Sequence, residues 1–153
     1  MASTLRMLSI LAALLYFSGT TAACPGELRV VVVVILATDQ HEKIDPRLTE
    51  IAAEVKKREP TLTGFEFARM INQPVKVGQR ETVKLIEDKT LTVTLEKGPD
   101  ADDKVRLTVR PPTLGEITYT CKTDKYLPIV TRHITKDKSR LIVAVMVKSG
   151  STK

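Results

Sequence analysis

The chain is 153 residues long, has a formal net charge of +6, and is 42% apolar and 27% charged. This length fits one domain with or without a leader, and the composition argues against disorder and against a multi-span membrane protein. Only 4% of the residues are aromatic, none is Trp and two are Cys, which argues against an aromatic-rich binding face and a disulfide-dense scaffold.

The first 23 residues have the three parts of a secretory signal peptide. Arg6 is their only charge, an apolar run with one Ser covers residues 7–17, and small or polar residues follow at 18–23. The run suits the apolar core of a leader, because a membrane span needs about 20 apolar residues. We therefore predict a signal peptide over residues 1–23 and one exported domain over 24–153, located in the periplasm, at the envelope or outside the cell.

Cysteine use leaves three interpretations of the mature domain open. Cleavage after Ala23 would make Cys24 the first residue, which is the lipidated position in bacterial lipoproteins, although Thr21 stands where their signal usually has Leu. In an oxidising compartment Cys24 and Cys121 are instead candidates for a disulfide. Cys121 is otherwise a small buried apolar side chain, and two cysteines so far apart lack the spacing of a zinc site.

A strand is predicted at residues 28–37, where five consecutive valines are followed by Ile35 and Leu36. Valine and isoleucine are stiff at χ1 and favour strands, and the run is too short to span a bilayer. Because it is apolar on both faces, we expect it at the centre of a sheet. An abruptly polar loop follows at residues 38–43.

One amphipathic helix of about 13 residues is predicted to begin at Pro46. Asp45 is suited to the N-cap, and Pro46 fits the first helical position because its missing N–H costs nothing there. Apolar residues recur at helical spacing and form one stripe: Leu48, Ile51, Ala52 and Val55. The basic residues 56–58 and then Pro60 mark the end of the helix.

From residue 63 the apolar period changes from 3.6 to 2, which predicts about seven further strands. Phe65, Phe67 and Ile71 are expected on one face of the first of these strands. Residues 91–95 and 105–109 alternate apolar side chains with Thr or Arg, as in a hairpin with one wet face. The final pair covers 129–134 and 141–147, and the second of these strands is apolar on both faces, so we expect it beside the valine strand.

These elements predict an α+β fold. One amphipathic helix packs on a mainly antiparallel β-sheet or β-sandwich of about eight strands. The order of strand, helix and then many strands lacks the repeated alternation of a doubly wound sheet. The absence of repeats and of low-complexity linkers indicates one domain.

Three polar residues form a candidate site. Asp39 and His41 follow the predicted valine strand, a place where ligand sites often lie in α/β sheets. With His133 they have the residue types of a two-histidine, one-carboxylate metal group, but no diagnostic spacing. No Ser or Cys lies in a catalytic motif, so we expect no catalytic residue, resident metal or cofactor.

The surplus of positive charge is the one global signal. Ten basic residues are candidates for a patch at one end of the sheet, and the alternative is that they are solvated charges that keep strand edges from aggregating: Lys76, Lys84, Arg106, Arg110, Lys122, Lys125, Arg132, Lys136, Lys138 and Arg140. Such a patch attracts anionic polymers or lipid headgroups. Proteins that bind single strands interleave aromatic residues for stacking, and this chain has few, so no specific nucleic acid is expected.

Four segments resemble a pattern in small signal-peptide-bearing bacterial proteins of unknown function. They are IDPRL at 44–48, LTGF at 62–65, PPTLGEITY at 111–119 and RLIVAVMV at 140–147. In that pattern a valine-rich strand precedes a Val/Ile-Asp-Pro-x-Leu helix, a Thr-Gly-Phe strand follows, and a β-hairpin closes the domain. The last hairpin is also similar to β-hairpins of secretin-type outer-membrane proteins. The resemblance covers residues 28–148 and implies an exported α+β domain without assigning a catalytic residue.

The sequence therefore favours a non-enzymatic interaction module of the envelope or periplasm. Its expected partner is an envelope protein or an anionic surface, contacted by strand addition at a sheet edge or by the basic residues. It would meet a membrane only through its leader or a lipid on Cys24. The alternatives are a small secreted enzyme of unknown reaction and a basic-surface binder of anionic polymer or lipid.

We predict that the chain, expressed with its leader in a bacterial host, yields a mature protein without residues 1–23. Intact mass spectrometry before and after reduction checks this. Added acyl mass would identify Cys24 as a lipid anchor, and a mass about 2 Da lower before reduction would identify a bridge to Cys121. A mature protein that still begins at Met1 would contradict export by cleavage.

Overall fold

The computed structural model describes residues 27–149, so the predicted signal peptide and Cys24 lie outside the described residues. In chain order the elements are β1 (Arg29–Thr38), a 3-10 turn (Pro46–Leu48), α1 (Thr49–Arg58), β2 (Gly64–Pro74), β3 (Arg80–Lys84), β4 (Thr90–Lys97), β5 (Lys104–Arg110), β6 (Ile117–Lys122), β7 (Leu127–Ile134) and β8 (Arg140–Lys148). No helix in this described part of the chain is long and apolar enough to cross a membrane.

The strands form two four-stranded antiparallel sheets. The first sheet has the order β2-β1-β8-β7, and the second sheet has the order β3-β4-β5-β6. The second sheet covers one face of the first sheet, and α1 covers the opposite face. The predicted fold class, one helix on an antiparallel sandwich of about eight strands, is confirmed.

β1 and β8 pair at the centre of the first sheet, as predicted, from Arg29 to Ala37 of β1. Val32 lies opposite Val145, and Val34 lies opposite Val143. Even-numbered valines of β1 face the second sheet, whereas Val31 and Val33 face α1. Since both faces are covered, the two strands are almost completely shielded from solvent. The continuous apolar sequence is what this position requires.

The predicted cap and apolar stripe of the helix are confirmed. The Asp45 carboxylate accepts a hydrogen bond from the Arg47 backbone N–H, 2.9 Å away, and all four stripe residues are buried. The first turn is a 3-10 turn, and the α-helix proper begins at Thr49. The Arg47 guanidinium stacks over Phe67 with 3.8 Å between the Cζ atom and the ring centroid. This contact ties the start of the helical segment to β2.

β2 contains a bulge that reverses its faces. Val34 pairs with Arg69 while the next residue, Ile35, pairs with Phe67, so Ala68 is an extra residue in the strand. Phe65 and Phe67 consequently face α1, whereas Ile71 faces the second sheet. The prediction that Phe65, Phe67 and Ile71 share one face is wrong, because an inserted residue shifts the alternation by one.

We predict that Thr131→Val destabilises the fold although it conserves volume. The buried Thr131 hydroxyl donates to the Leu141 carbonyl at 2.7 Å and accepts from the His133 N–H at 3.2 Å. Valine leaves both groups without this partner, which should lower the free energy of unfolding by about 1–3 kcal/mol. Urea denaturation measures the change. Exposed Thr90→Val is the control, with an expected change below about 0.5 kcal/mol; equal effects of both variants would contradict the prediction.

Candidate binding surface

The outer face of the second sheet is basic and rich in threonine. Its inward positions bury an apolar layer, and the alternation of each strand turns the intervening residues outward. We call the seven exposed cations on this side the basic face: Arg80, Lys84, Lys97, Lys104, Arg106, Arg110 and Lys122. Threonines fill the positions between them: Thr82, Thr90, Thr92, Thr94, Thr108, Thr118 and Thr120.

The basic face has little direct charge compensation. Glu96 and Glu116 are the carboxylates on its surface, and three Asp residues at 100–103 lie in the β4–β5 turn at its rim. Within residues 27–149, none of these carboxylates comes within 4.0 Å of a charged side-chain nitrogen of the seven cations. Asp100 instead accepts hydrogen bonds from the backbone N–H groups of Asp102 and Lys104, which lower its pKa.

Two pairs of like charge stand directly opposite each other on neighbouring strands. Lys97 faces Arg106 between β4 and β5, and Lys104 faces Lys122 between β5 and β6. Opposed like charges destabilise a sheet. A bound anion would remove this repulsion, so the pairs favour an anionic partner.

A shallow concavity in the basic face has the donors of an oxyanion site. Arg80 lies opposite Thr94, and Arg110 lies opposite Thr92, so the two guanidinium groups flank the middle of β4. Thr92, Thr94, Thr108 and Glu116 complete the lining of the concavity. Guanidinium forks and hydroxyls together suit phosphate, sulfate or carboxylate groups.

The structure divides the ten basic residues that the sequence suggested as one patch. Four belong to the basic face: Lys84, Arg106, Arg110 and Lys122. The remaining six lie in the first sheet or in loops: Lys76, Lys125, Arg132, Lys136, Lys138 and Arg140. Sequence reasoning missed Arg80, Lys97 and Lys104, which stand at strand ends. Alternation with the buried residues of the same strands identifies Arg80 and Lys104, whereas Lys97 lies opposite Arg106 because the pairing of β4 shifts by one residue between Leu95 and Lys97.

The candidate polar cluster of Asp39, His41 and His133 is split among separate partners. Asp39 accepts a hydrogen bond from Gln40 Nε2 at 2.7 Å, and His41 Nδ1 accepts from the Lys43 N–H at 3.1 Å. His133 Nε2 lies 2.7 Å from Glu87 Oε2. Among the described residues, no group of three or more His, Cys, Asp and Glu side chains is arranged to hold a metal ion.

Cys121 lies on the inward side of β6 and is half-buried. Burial raises the pKa of its thiol, so the neutral thiol predominates at neutral pH and the residue lacks the thiolate of a nucleophile.

The start of β1 and the β6–β7 turn lie at the same end of the molecule. Lys148 pairs with Arg29, and the carbonyl of the neighbouring Val147 accepts a hydrogen bond from the Asp124 N–H. Lipidation of Cys24 and a Cys24–Cys121 disulfide stay predictions.

Comparisons of the chain with protein-family models, curated proteins and solved structures found no match. The basic face is therefore interpreted from its own geometry. It presents an array of cations and hydroxyls over four strands, suited to a partner with repeated anionic groups. None of its outward-facing strand residues is aromatic.

We predict that Glu87→Gln lowers stability at neutral pH and that the loss shrinks in acid. Glu87 joins the two sheets by accepting from the Lys136 N–H at 2.9 Å and contacting His133, and these hydrogen bonds hold its pKa below the usual 4.5. A carboxylate with a lowered pKa stabilises the fold above its ordinary pKa, and this contribution disappears as the pH falls below that value. Urea unfolding of both proteins at several pH values measures the difference, and a difference that stays constant down to strongly acidic pH would contradict this role.

Proposed function

We propose that the chain is an exported, non-enzymatic interaction module that binds an anionic partner through the basic face. The observation that carries the proposal is the gathering of seven exposed cations on one sheet surface, where no charged nitrogen of theirs lies within 4.0 Å of a described carboxylate. Two like-charged pairs within this surface add to the argument, because a folded domain gains nothing from opposing its own cations.

The chemistry of the basic face indicates which partners fit. Guanidinium groups, ammonium groups and threonine hydroxyls recognise phosphate, sulfate and carboxylate oxygens by charge-assisted hydrogen bonds. Suitable partners are anionic lipid headgroups, an anionic polymer or an acidic region of an envelope protein. Base stacking needs aromatic platforms, so sequence-specific nucleic-acid recognition is not proposed.

The leader-like sequence at residues 1–23 supports export and therefore a partner outside the cytoplasm. An envelope location brings the domain close to anionic lipids and polymers, where long-range attraction raises the rate of encounter. The alternative of a small secreted enzyme requires Asp39, His41, His133 or Cys121 to act together. The separate hydrogen-bond partners of Asp39, His41 and His133 favour the interaction module instead.

We predict that neutralising the basic face weakens binding to a sulfated polysaccharide more than neutralising other cations. The test variant is R80Q/R106Q/R110Q, and the control is K43Q/K125Q/K148Q, which removes the same charge from exposed residues outside the second sheet. Each lost contact should lower the slope of log affinity against log salt by about one. Heparin-resin elution and titration calorimetry at several salt concentrations measure both quantities.

The matched control separates a defined surface from overall basicity. A chain with a pI near 9.4 binds any anionic resin to some degree. Equal elution of the two triple variants would show that net charge alone causes retention, and it would overturn the proposed surface. Vesicles with and without anionic lipid, tested in parallel, distinguish a headgroup from a polymer as the partner.

A further inference from the structure

Each open sheet has two edge strands, and three of the four edges here are protected. On β2, Ile44 pairs beside Phe65 and a bulge interrupts the strand at Ala68. On β3, Glu81 lies opposite the buried Val93 and so places a carboxylate on the inward side of the edge. Inward charges and bulges are devices by which natural proteins prevent unwanted strand pairing.

The edge strand β7 is closed by other means. Pro128 has no backbone N–H, the pairing with β8 is irregular between Val130 and Ile134, and the Arg132 N–H already donates to the Thr113 hydroxyl at 3.0 Å. Proline on an edge removes a donor that an added strand would need. A partner strand therefore finds no regular row of free groups on β7.

The strand β6 has none of these protections. It contains no proline, and its pairing with β5 is regular from Ile117 to Lys122. The Thr123 N–H donates to the Asp103 carbonyl at 2.8 Å, which fixes the phase of the ladder. In an antiparallel pair the bonded residues alternate, so the backbone groups of Thr118, Thr120 and Lys122 point away from the sheet. Within residues 27–149 no other segment pairs with this row.

An apolar groove opens beside the β6 edge, between the two sheets and the end of α1. Its apolar lining is Leu114, Ile117, Tyr119, Leu127, Ile129 and Val130, and Arg58 and Glu59 stand at its rim. Ile117 is 38% exposed, a large value for an inward-facing position. The buried hydroxyl of Tyr119 has no hydrogen-bond partner among the described residues. The groove therefore presents apolar surface that a partner could cover.

The opposite side of the same edge is positively charged. Lys122 faces Lys104 at a position that does not exchange backbone hydrogen bonds, where opposed side chains come closest. An acidic residue on a neighbouring strand would lie beside Lys122 and remove this repulsion. Since side chains alternate along a strand, one added strand would meet the apolar groove and the basic face at successive residues.

We propose that β6 accepts an extended segment of a partner protein whose residues alternate between apolar and acidic. The segment adds a fifth strand to the second sheet, placing its apolar side chains over the groove and its carboxylates beside the basic face. This inference rests on the proposed function for the acidic half of the recognition. The backbone pairing and the apolar contacts do not depend on the proposed function, because they are argued from the open edge and from the groove.

The test uses a fluorescein-labelled peptide in which Glu and Val alternate. Two control peptides are used. The first has the same composition, with its Glu residues in one block, and the second has Lys in place of every Glu. Fluorescence anisotropy with the whole chain should show binding of the alternating acidic peptide only. Binding of the block peptide with equal affinity would mean that charge alone attracts the peptide, and it would overturn the strand-addition proposal.

Thr120→Pro removes one N–H from the open edge without removing a bond between β5 and β6. It should weaken peptide binding by about tenfold. The added strand would lose the hydrogen bond from the Thr120 N–H to one of its carbonyls, and the proline ring would hinder its approach. Thr82→Pro is the matched control, since the Leu85–Lys89 hydrogen bond sets the β3 ladder so that the Thr82 N–H also faces outward. Unchanged affinity in T120P, or equal losses in both variants, would overturn the proposal.

Two further measurements keep the outcomes distinct. Heparin retention of T120P should match that of T82P while its peptide binding is weaker. If the unaltered chain is retained on heparin but does not bind the alternating peptide, strand addition is rejected and the proposed basic face is unaffected. Should T120P fail to fold in circular dichroism, an alternating peptide with N-methylated backbone replaces it and should not bind. Undiminished binding of that peptide would overturn the proposal.

Discussion

The pairing of β1 with β8 is the constraint on which the rest of the structure depends. Both strands are apolar on both faces, so the pair is stable in water only when something covers each side. α1 supplies one cover, and the second sheet supplies the other. The inner face of the second sheet therefore packs on this strand pair. Its outer face carries the charged side chains and is open to solvent.

The fold was largely predictable because its signals are local. Consecutive valines, a capped amphipathic helix and strict alternation with Thr each specify an element within a few residues. The bulge at Ala68 left no such signal, since it depends on how β2 fits the neighbouring β1. The basic face was only partly predictable, because Arg80, Lys97 and Lys104 come together through strand pairing, which the sequence does not specify.

The four edge strands of the sandwich differ in how well they are protected against pairing with another strand. β2, β3 and β7 each carry a feature that hinders pairing, whereas β6 presents regular backbone groups beside both an apolar groove and the basic face. An unprotected edge is an aggregation hazard. Its occupation by a partner would bury the exposed Ile117 and complete a continuous surface on that side of the molecule.

The opposed cations of the basic face also couple stability to binding through ionic strength. Added salt screens the repulsion between Lys97 and Arg106 and between Lys104 and Lys122, so it strengthens the second sheet of the free protein. The same ions would compete with the proposed anionic partner and weaken its attachment. The domain would thus fold more readily in concentrated salt and bind the proposed partner more readily in dilute salt, and a bound partner would supply the screening that dissolved ions provide to the free chain.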